Sequence, residues 1–240
     1  MEREIILCIP GPWSNRSKLL EDIIVRSEGK FMCVGGILAC PSENDHIQLE
    51  YEEHTPNMEE AFRLAGQGKI SEETLVAINQ HEGVAYLHFP LEFLLQRERI
   101  NVFTSFLRDC GGIAIKNESC GIAHEWDRWF ELIGSEDIFD SYCACVVLIA
   151  SKEVYYSCGM HNFCLPDVQV CRDSGLENPA KFINDFNLYQ ILEETNLKSG
   201  DTFSLSDDDP IFRMKHLEDT RHDSEHLFHN PSGLWSLENI

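Results

Sequence analysis

The chain lacks a long hydrophobic run. Its longest apolar stretch, Cys143 to Ala150, falls far short of the ~20 residues that a membrane-spanning helix needs, so no membrane association is expected. Cations are scarce. Nineteen lysines and arginines stand against 41 aspartates and glutamates, a net charge of −22 with histidines neutral. A surface of that sign repels phosphates, which argues against nucleic-acid binding. Glycine-rich nucleotide signatures are missing: there is no loop ending in Gly-Lys-Ser/Thr and no Gly-x-Gly-x-x-Gly. Gly-x-Ser-x-Gly and His-Glu-x-x-His are missing too, since His124-Glu125 runs on into Trp126, Asp127 and Arg128. No cofactor is expected. The opening Met1-Glu2-Arg3-Glu4, before Ile5 to Ile9, has neither the basic start nor the length of a secretory leader. It reads as a first strand, and a cytoplasmic location is expected.

What is present is enough for a packed core. Hydrophobic residues make up 43 %, with 14 Phe, 6 Tyr and 4 Trp, far too many apolar anchors for a disordered chain. Ten cysteines, at 8, 33, 40, 110, 120, 143, 145, 158, 164 and 171, read as small buried hydrophobes in a reducing compartment rather than as a disulfide scaffold. Cys143-x-Cys145, read as part of a strand, places both thiols on one face and favours core packing.

The order of elements predicts an α+β fold made of two ferredoxin-like βαββαβ halves in tandem, a pseudo-duplication with a C-terminal extension. In residues 1–90, strands are expected at 3–9, 31–40 (with Gly35-Gly36 as a bulge), 46–53 and 83–89. Helices are expected at 14–26, 57–64 and 72–79, on one face of the sheet. Ile70 and Leu75 flank Ser71 as a hydrophobic staple around an N-cap. In residues 91–210, a connector helix over 91–109 precedes a strand at 113–117, a helix at 124–133, strands at 142–150 and 154–160, a helix at 179–194 and a strand at 202–205. Residues 211–240 form the extension packed on the second half, with a strand at 211–217 and irregular chain beyond. The whole is expected to make one compact unit.

Several stretches resemble an uncharacterised bacterial protein family known only as a domain of unknown function. They are Leu7-Cys8-Ile9-Pro10-Gly11-Pro12-Trp13, Gly121-Ile122-Ala123-His124, Tyr155 through Phe163, and Leu165-Pro166-Asp167. Further on come Phe186-Asn187-Leu188-Tyr189, Thr202-Phe203-Ser204-Leu205, Leu227 through Pro231, and Gly233-Leu234-Trp235. The resemblance is strongest over residues 155–235. It departs at Cys164, where the family pattern has glycine. The resemblance implies no chemistry.

Candidate sites follow from residue types. Cys158-x-x-His161-x-x-Cys164, with Cys171 beyond, has zinc-ligand types at close spacing. A buried strand and turn with inert thiols is the favoured alternative, and no metal is expected. His222, His226 and His229 would share a face if helical, but the polar segment around them reads as an exposed loop. The remaining polar cluster offers His161, Asp167 and His229 as catalytic candidates. Asn162, Asn187, Tyr189, Asn230 and Trp235 are its binding candidates. These residues form either a small pocket or a buried hydrogen-bond network that pins the extension onto the second sheet.

Two functional readings follow. The favoured one is a binding protein, immunity-like in its logic, that engages a basic protein partner through an acidic surface. Its acidic features are Glu50, Glu52, Glu53, Glu59 and Glu60, and the run Asp207 to Asp209. The alternative is an enzyme or small-ligand-binding protein that uses the His/Asn/Asp cluster.

Overall fold

The structure is a computed structural model, and it describes residues 3–193, 196–206 and 209–240. Asp207 and Asp208 of the acidic run therefore lie outside the described residues. The fold is mixed α+β with seven helices and two sheets among the described residues. It divides into two compact units, one ending at Glu136 and the other beginning at Asp137. Among the described residues, no helix is long and apolar enough to cross a membrane.

The first unit is a seven-stranded antiparallel sheet. Its strands are β1 (Glu4–Gly11), β2 (Met32–Val34), β3 (Ile37–Cys40), β4 (Asp45–Glu53), β5 (Gly83–Pro90), β6 (Ile115–Asn117) and β7 (Ile122–His124). The order across the sheet is β2-β3-β4-β5-β1-β6-β7. A ferredoxin-like half would place β1 between β4 and β5. Here β5 lies between β4 and β1, and the strand expected in the second half, near 113–117, joins this sheet instead. Burial gives the reason. In β1, Ile5, Leu7, Cys8 and Ile9 are all fully buried, and so are Val84, Ala85, Leu87 and Phe89 of β5. Two strands buried on both faces pair with each other at the centre over their whole length, Glu4 opposite Pro90 to Gly11 opposite Gly83.

The segment 31–40 is two strands rather than one bulged strand. Gly35 (φ 62°) and Gly36 (φ 89°) both lie in the left-handed region, as the two central residues of a tight hairpin require. Val34 and Ile37 therefore face each other across the turn.

The helices of this unit are α1 (Arg16–Ser27), α2 (Met58–Ala65), α3 (Glu72–Asn79), α4 (Phe93–Asp109) and α5 (Trp126–Gly134). The Asn15 side chain caps α1 by accepting from the Lys18 amide at 3.0 Å, and Ser71 caps α3 by accepting from Thr74 at 3.2 Å. Ile70 and Leu75, on either side of Ser71, are buried in one cluster with Phe62 and Ile78. That cluster lies on the sheet face of Cys8 and Val84. The opposite face carries α4, whose Phe103 ring sits 6.2 Å from Phe89, and α1 packs against α4. The helices at 14–26 and 57–79 thus flank opposite faces, contrary to the single-face expectation, because β5 alternates Val84 to one side and Phe89 to the other.

The second unit is a six-stranded sheet with strands β8 (Val147–Ala150), β9 (Val154–Cys158), β10 (Asp167–Cys171), β11 (Thr202–Phe203), β12 (Phe212–Leu217) and β13 (Leu234–Asn239). Their order is β11-β12-β13-β10-β9-β8, with β10 and β13 parallel. The segment 142–150, expected as a strand, is the end of α6 (Ile138–Cys145) followed by β8. Asp137 starts that helix by accepting from the Phe139 amide at 2.9 Å. Cys143 and Cys145 therefore do not share a strand face. β13 falls in the stretch expected to be irregular, β10 in a stretch for which no element was expected, and residues 211–240 supply β12 and β13 to the sheet itself. A final helix, α7 (Pro179–Glu193), packs Phe182, Ile183 and Phe186 onto Val168, Val170, Met214, Trp235 and Leu237.

Candidate functional site

The residues with the strongest resemblance gather where β9 turns into β10. β9 ends at Cys158, Gly159 follows at φ 124°, a single 3-10 turn covers Met160–Phe163, and Cys164 comes next at φ 58°. Leu165 and Pro166 then lead into Asp167, the first residue of β10. Asp167 is fully buried. Its Oδ1 accepts from the Met160 amide at 3.2 Å and from the Ser157 hydroxyl at 3.3 Å. Its Oδ2 accepts from Arg221 Nη2 at 2.9 Å. The Ser157 oxygen in turn accepts the Val168 amide at 2.9 Å.

Arg221 is the centre of the arrangement. It forks onto Asp219, with Nε donating to Oδ1 at 2.8 Å and Nη2 to Oδ2 at 3.0 Å. Nη1 reaches the Ser157 carbonyl at 3.2 Å, and the guanidinium lies 4.8 Å from the centre of the Tyr156 ring. Asp219 Oδ2 also accepts the Asn230 amide at 2.9 Å. The Asn230 side chain donates to the Leu165 carbonyl at 2.9 Å and accepts from the Ser232 amide at 2.9 Å. The chain between β12 and β13 is thereby tied to the β9–β10 turn. The closing residue, Gly233, has φ 74°, and a Cβ there would come within 2.3 Å of the Leu217 carbonyl oxygen, so only glycine fits.

Two carboxylates share one guanidinium, and their titration separates accordingly. Burial pushes Asp167 up to about 6, against the opposing pull of Arg221. Burial also works against the charged form of Asp219, but the hydrogen bonds from Arg221 and the Asn230 amide outweigh it and hold Asp219 at about 2. Arg221 is held firmly protonated by the pair. Asp219 is the permanent anion, and Asp167 is the group able to take a proton.

A second buried chain of amides lies alongside in the same unit. The Tyr142 hydroxyl donates to Asn184 Oδ1 at 2.8 Å and accepts from Asn187 Nδ2 at 3.1 Å. Gln190 Nε2 donates to Asn187 Oδ1 at 3.3 Å and to the Pro166 carbonyl at 3.2 Å. Asn162 donates to the Gly159 carbonyl at 2.8 Å.

The other candidates are dispersed. His161 is buried in the 3-10 turn, where its carbonyl accepts the Cys164 amide at 3.0 Å. His229 is half-buried, with Nδ1 3.3 Å from the His222 carbonyl. Tyr189 is on the exposed side of α7, 5.5 Å from Phe203, and Trp235 belongs to the core, edge-on to His216 at 4.9 Å. Cys158 is buried, whereas Cys164 and Cys171 are exposed. Among the described residues, no three His, Cys, Asp or Glu side chains converge as metal ligands would. Sequence reasoning missed Ser157, Asp219 and Arg221. Asp219-x-Arg221 is a short acid–base pair inside a polar stretch, and only the tertiary fold shows that it is covered.

Residues 156–238 match a family model described as "Domain of unknown function (DUF4261)". The matched segment runs from β9 into β13 and contains the whole Asp167–Arg221–Asp219 arrangement. Searches of curated proteins and of solved structures returned no match.

Proposed function

We propose that this chain is a cytoplasmic protein-binding module that engages a basic partner through the acidic surface of its first unit. In this reading the polar cluster of the second unit is architecture. The observation that carries it is a contrast in how the carboxylates are used. Glu50 and Glu52 stand exposed on β4, while Asp167 and Asp219 are buried and fully bonded. Buried, mutually satisfied charges fix a structure. Exposed charges of one sign raise the association rate of an oppositely charged partner. The acidic group read from the sequence divides in three dimensions. Glu53 alternates to the other side of β4 from Glu50 and Glu52, and Glu59 is paired with Arg63 at 2.8 Å.

The test begins with crosslinking in the cells that make the protein, followed by purification of the captured partner. The partner should be basic, and its association rate should fall steeply as salt rises through the range where the Debye length shrinks to about 8 Å. A neutral or acidic partner with salt-independent kinetics would overturn the reading. So would a turnover activity abolished by Asp167→Asn in a variant that remains folded.

A further inference from the structure

We infer that the uncovered half of one face of the first sheet is the docking surface, and that its occupant is a basic amphipathic helix of another protein. This rests on the acidic-surface reading and narrows it to one face and one partner chemistry. Cross-strand registers align Val34, Ile37, Gln48, His88 and Ile6 in a single row, all pointing to the same side. Glu50 and Tyr86 stand in the next row. Over Cys8 and Val84 this side is closed by α2 and α3. Towards the β2 edge it is bare, with Val34 73 %, Met32 52 % and Ile37 40 % exposed.

A sheet face is ordinarily buried under a layer of helices, and here the layer stops halfway. Folds usually guard a hydrophobic edge strand with lysine, proline or a bulge. The β2–β3 hairpin at this edge instead leaves two branched aliphatic side chains in solvent, and a contiguous exposed apolar strip marks an interaction site. The exposed carboxylates of Glu50 and Glu52 stand beside the strip. The hairpin end borders a 480 Å³ cleft lined by Arg16, Gly35, Gly36, Ile37 and residues 48–52 of β4, from both sides of that strand. His88 lies in the same row. Its side chain is only 10 % exposed, Nδ1 lies 2.9 Å from Glu4 Oε2, and Nε2 is 3.7 Å from the Glu50 carboxylate. That Nε2 is buried without a hydrogen bond, so of this pair it is the exposed Glu50 carboxylate that an incoming cation can reach.

These features select the occupant. A second copy would set Glu50 and Glu52 against their own images and −22 against −22, which opposes self-association. A helix with aliphatic residues on one flank and lysine or arginine on the other satisfies both halves of the face. Its aliphatic flank covers Val34 and Ile37, and its long cationic side chains lie over the sheet to reach Glu50 and Glu52.

The experiment titrates the full chain with a synthetic helix bearing leucines on one flank and lysines on the other, read by amide chemical shifts. Two control helices replace the leucines by serine or the lysines by glutamate. Shifts should concentrate at residues 34, 37, 48–52 and 88, and both control helices should bind at least about tenfold more weakly. V34K/I37K and E50K/E52K should each weaken the leucine–lysine helix by about tenfold or more. E177K/E238K, an equal charge change in the second unit, should not. If V34K/I37K disturbs the hairpin, V34K alone carries that arm. Shifts spread over many acidic sites, with E177K/E238K as damaging as E50K/E52K, would overturn this face while leaving the acidic-surface reading standing. No binding of any lysine-bearing helix at low salt would overturn both.

Discussion

Carboxylates stand in opposite environments in the two units. In the first, Glu50 and Glu52 project from an exposed strand face beside bare Val34 and Ile37. In the second, the Asp167 and Asp219 side chains are fully buried around one guanidinium. An exposed carboxylate interacts weakly with its neighbours and adds little to stability, yet it is felt by a partner at a distance. A buried carboxylate is invisible to a partner and strongly coupled to its counter-ion. The difference teaches that acidity alone does not locate function in this chain; the covering of each acid does. It also makes the two regions separable by mutation. Changes in the second unit should move stability, and changes on the first sheet should move binding.

The largest expected effect is at Arg221. Arg221→Met keeps much of the side chain's length and removes its charge, leaving Asp167 and Asp219 buried without a cation. Breaking a buried pair in this way costs about 3–5 kcal/mol. Urea unfolding followed by a probe in the second unit should show that loss at pH 7. A loss near zero would mean that the triad is not a linchpin and would erase the contrast between the units.

Next in size is a pH effect at Asp167. Its folded pKa, about 6, lies above the ~3.9 of an unfolded aspartate. The folded state therefore binds more protons than the unfolded state between those values. The stabilisation from protonated Asp167 is complete below pH ~4 and is lost as pH rises through about 6. Asp167→Asn cannot titrate. The variant's stability relative to wild type should thus improve by about 2–3 kcal/mol from pH 4 to pH 7, since each tenfold difference in proton affinity between the two states is worth about 1.4 kcal/mol. Asp219, held near 2, has the opposite sign. Its stabilisation is present above pH ~4 and fades as pH falls towards 2, so the comparison belongs at pH 4 and above. A pH-independent difference would show that the proton is taken up elsewhere.

How much of this was legible beforehand depended on the range of the signal. β1, β4 and β5 declare themselves by local apolar patterning, and α3 by its Ser71 cap with Ile70 and Leu75. Gly35-Gly36 was visible but ambiguous, since a glycine pair suits either a bulge or a two-residue turn, and only the pairing of Val34 with Ile37 decides. The run ending at Ala150 is apolar throughout, which conceals the switch from α6 to β8. β13 is short, and its parallel pairing with β10 is a contact across more than sixty residues that no local pattern encodes. The site shows the same limit. Asp167, Asn187 and Asn230 stood out by residue type near glycine and proline, whereas Arg221 sits among histidines and acids that look solvent-exposed in sequence.

On the first sheet the expected change in stability is small, and that smallness is the point. Glu50→Gln with Glu52→Gln removes two exposed charges, one of which accepts from Gln48 at 2.6 Å. Surface changes of this kind stay within about 0.5 kcal/mol. The melting temperature should barely move, while the salt dependence of partner binding should flatten. A large destabilisation would make these glutamates structural and bring the two units closer in character than proposed.

A last, modest effect concerns Cys164, where the chain departs from the resembling pattern's glycine. Its backbone sits at φ 58°, ψ 27°, a left-handed conformation that costs an L residue about 1–2 kcal/mol. Glycine removes that strain but gives back about 0.5–1 kcal/mol of unfolded-chain entropy. The net for Cys164→Gly is a stabilisation of roughly 0.5–1 kcal/mol, or about 1–4 °C in melting temperature for a domain of this kind. Little packing is lost, because the side chain is exposed. Two backbone hydrogen bonds survive: the amide donates to the His161 carbonyl at 3.0 Å and the carbonyl accepts from Ser232 at 3.3 Å. Cys164→Ala is the matched control. It removes the thiol and keeps the Cβ, so it should leave the melting temperature unchanged. Equal gains from alanine and glycine would assign the effect to the exposed thiol. A loss from glycine would mean that the Cys164 side chain itself holds the β9–β10 turn against the loop that carries Arg221.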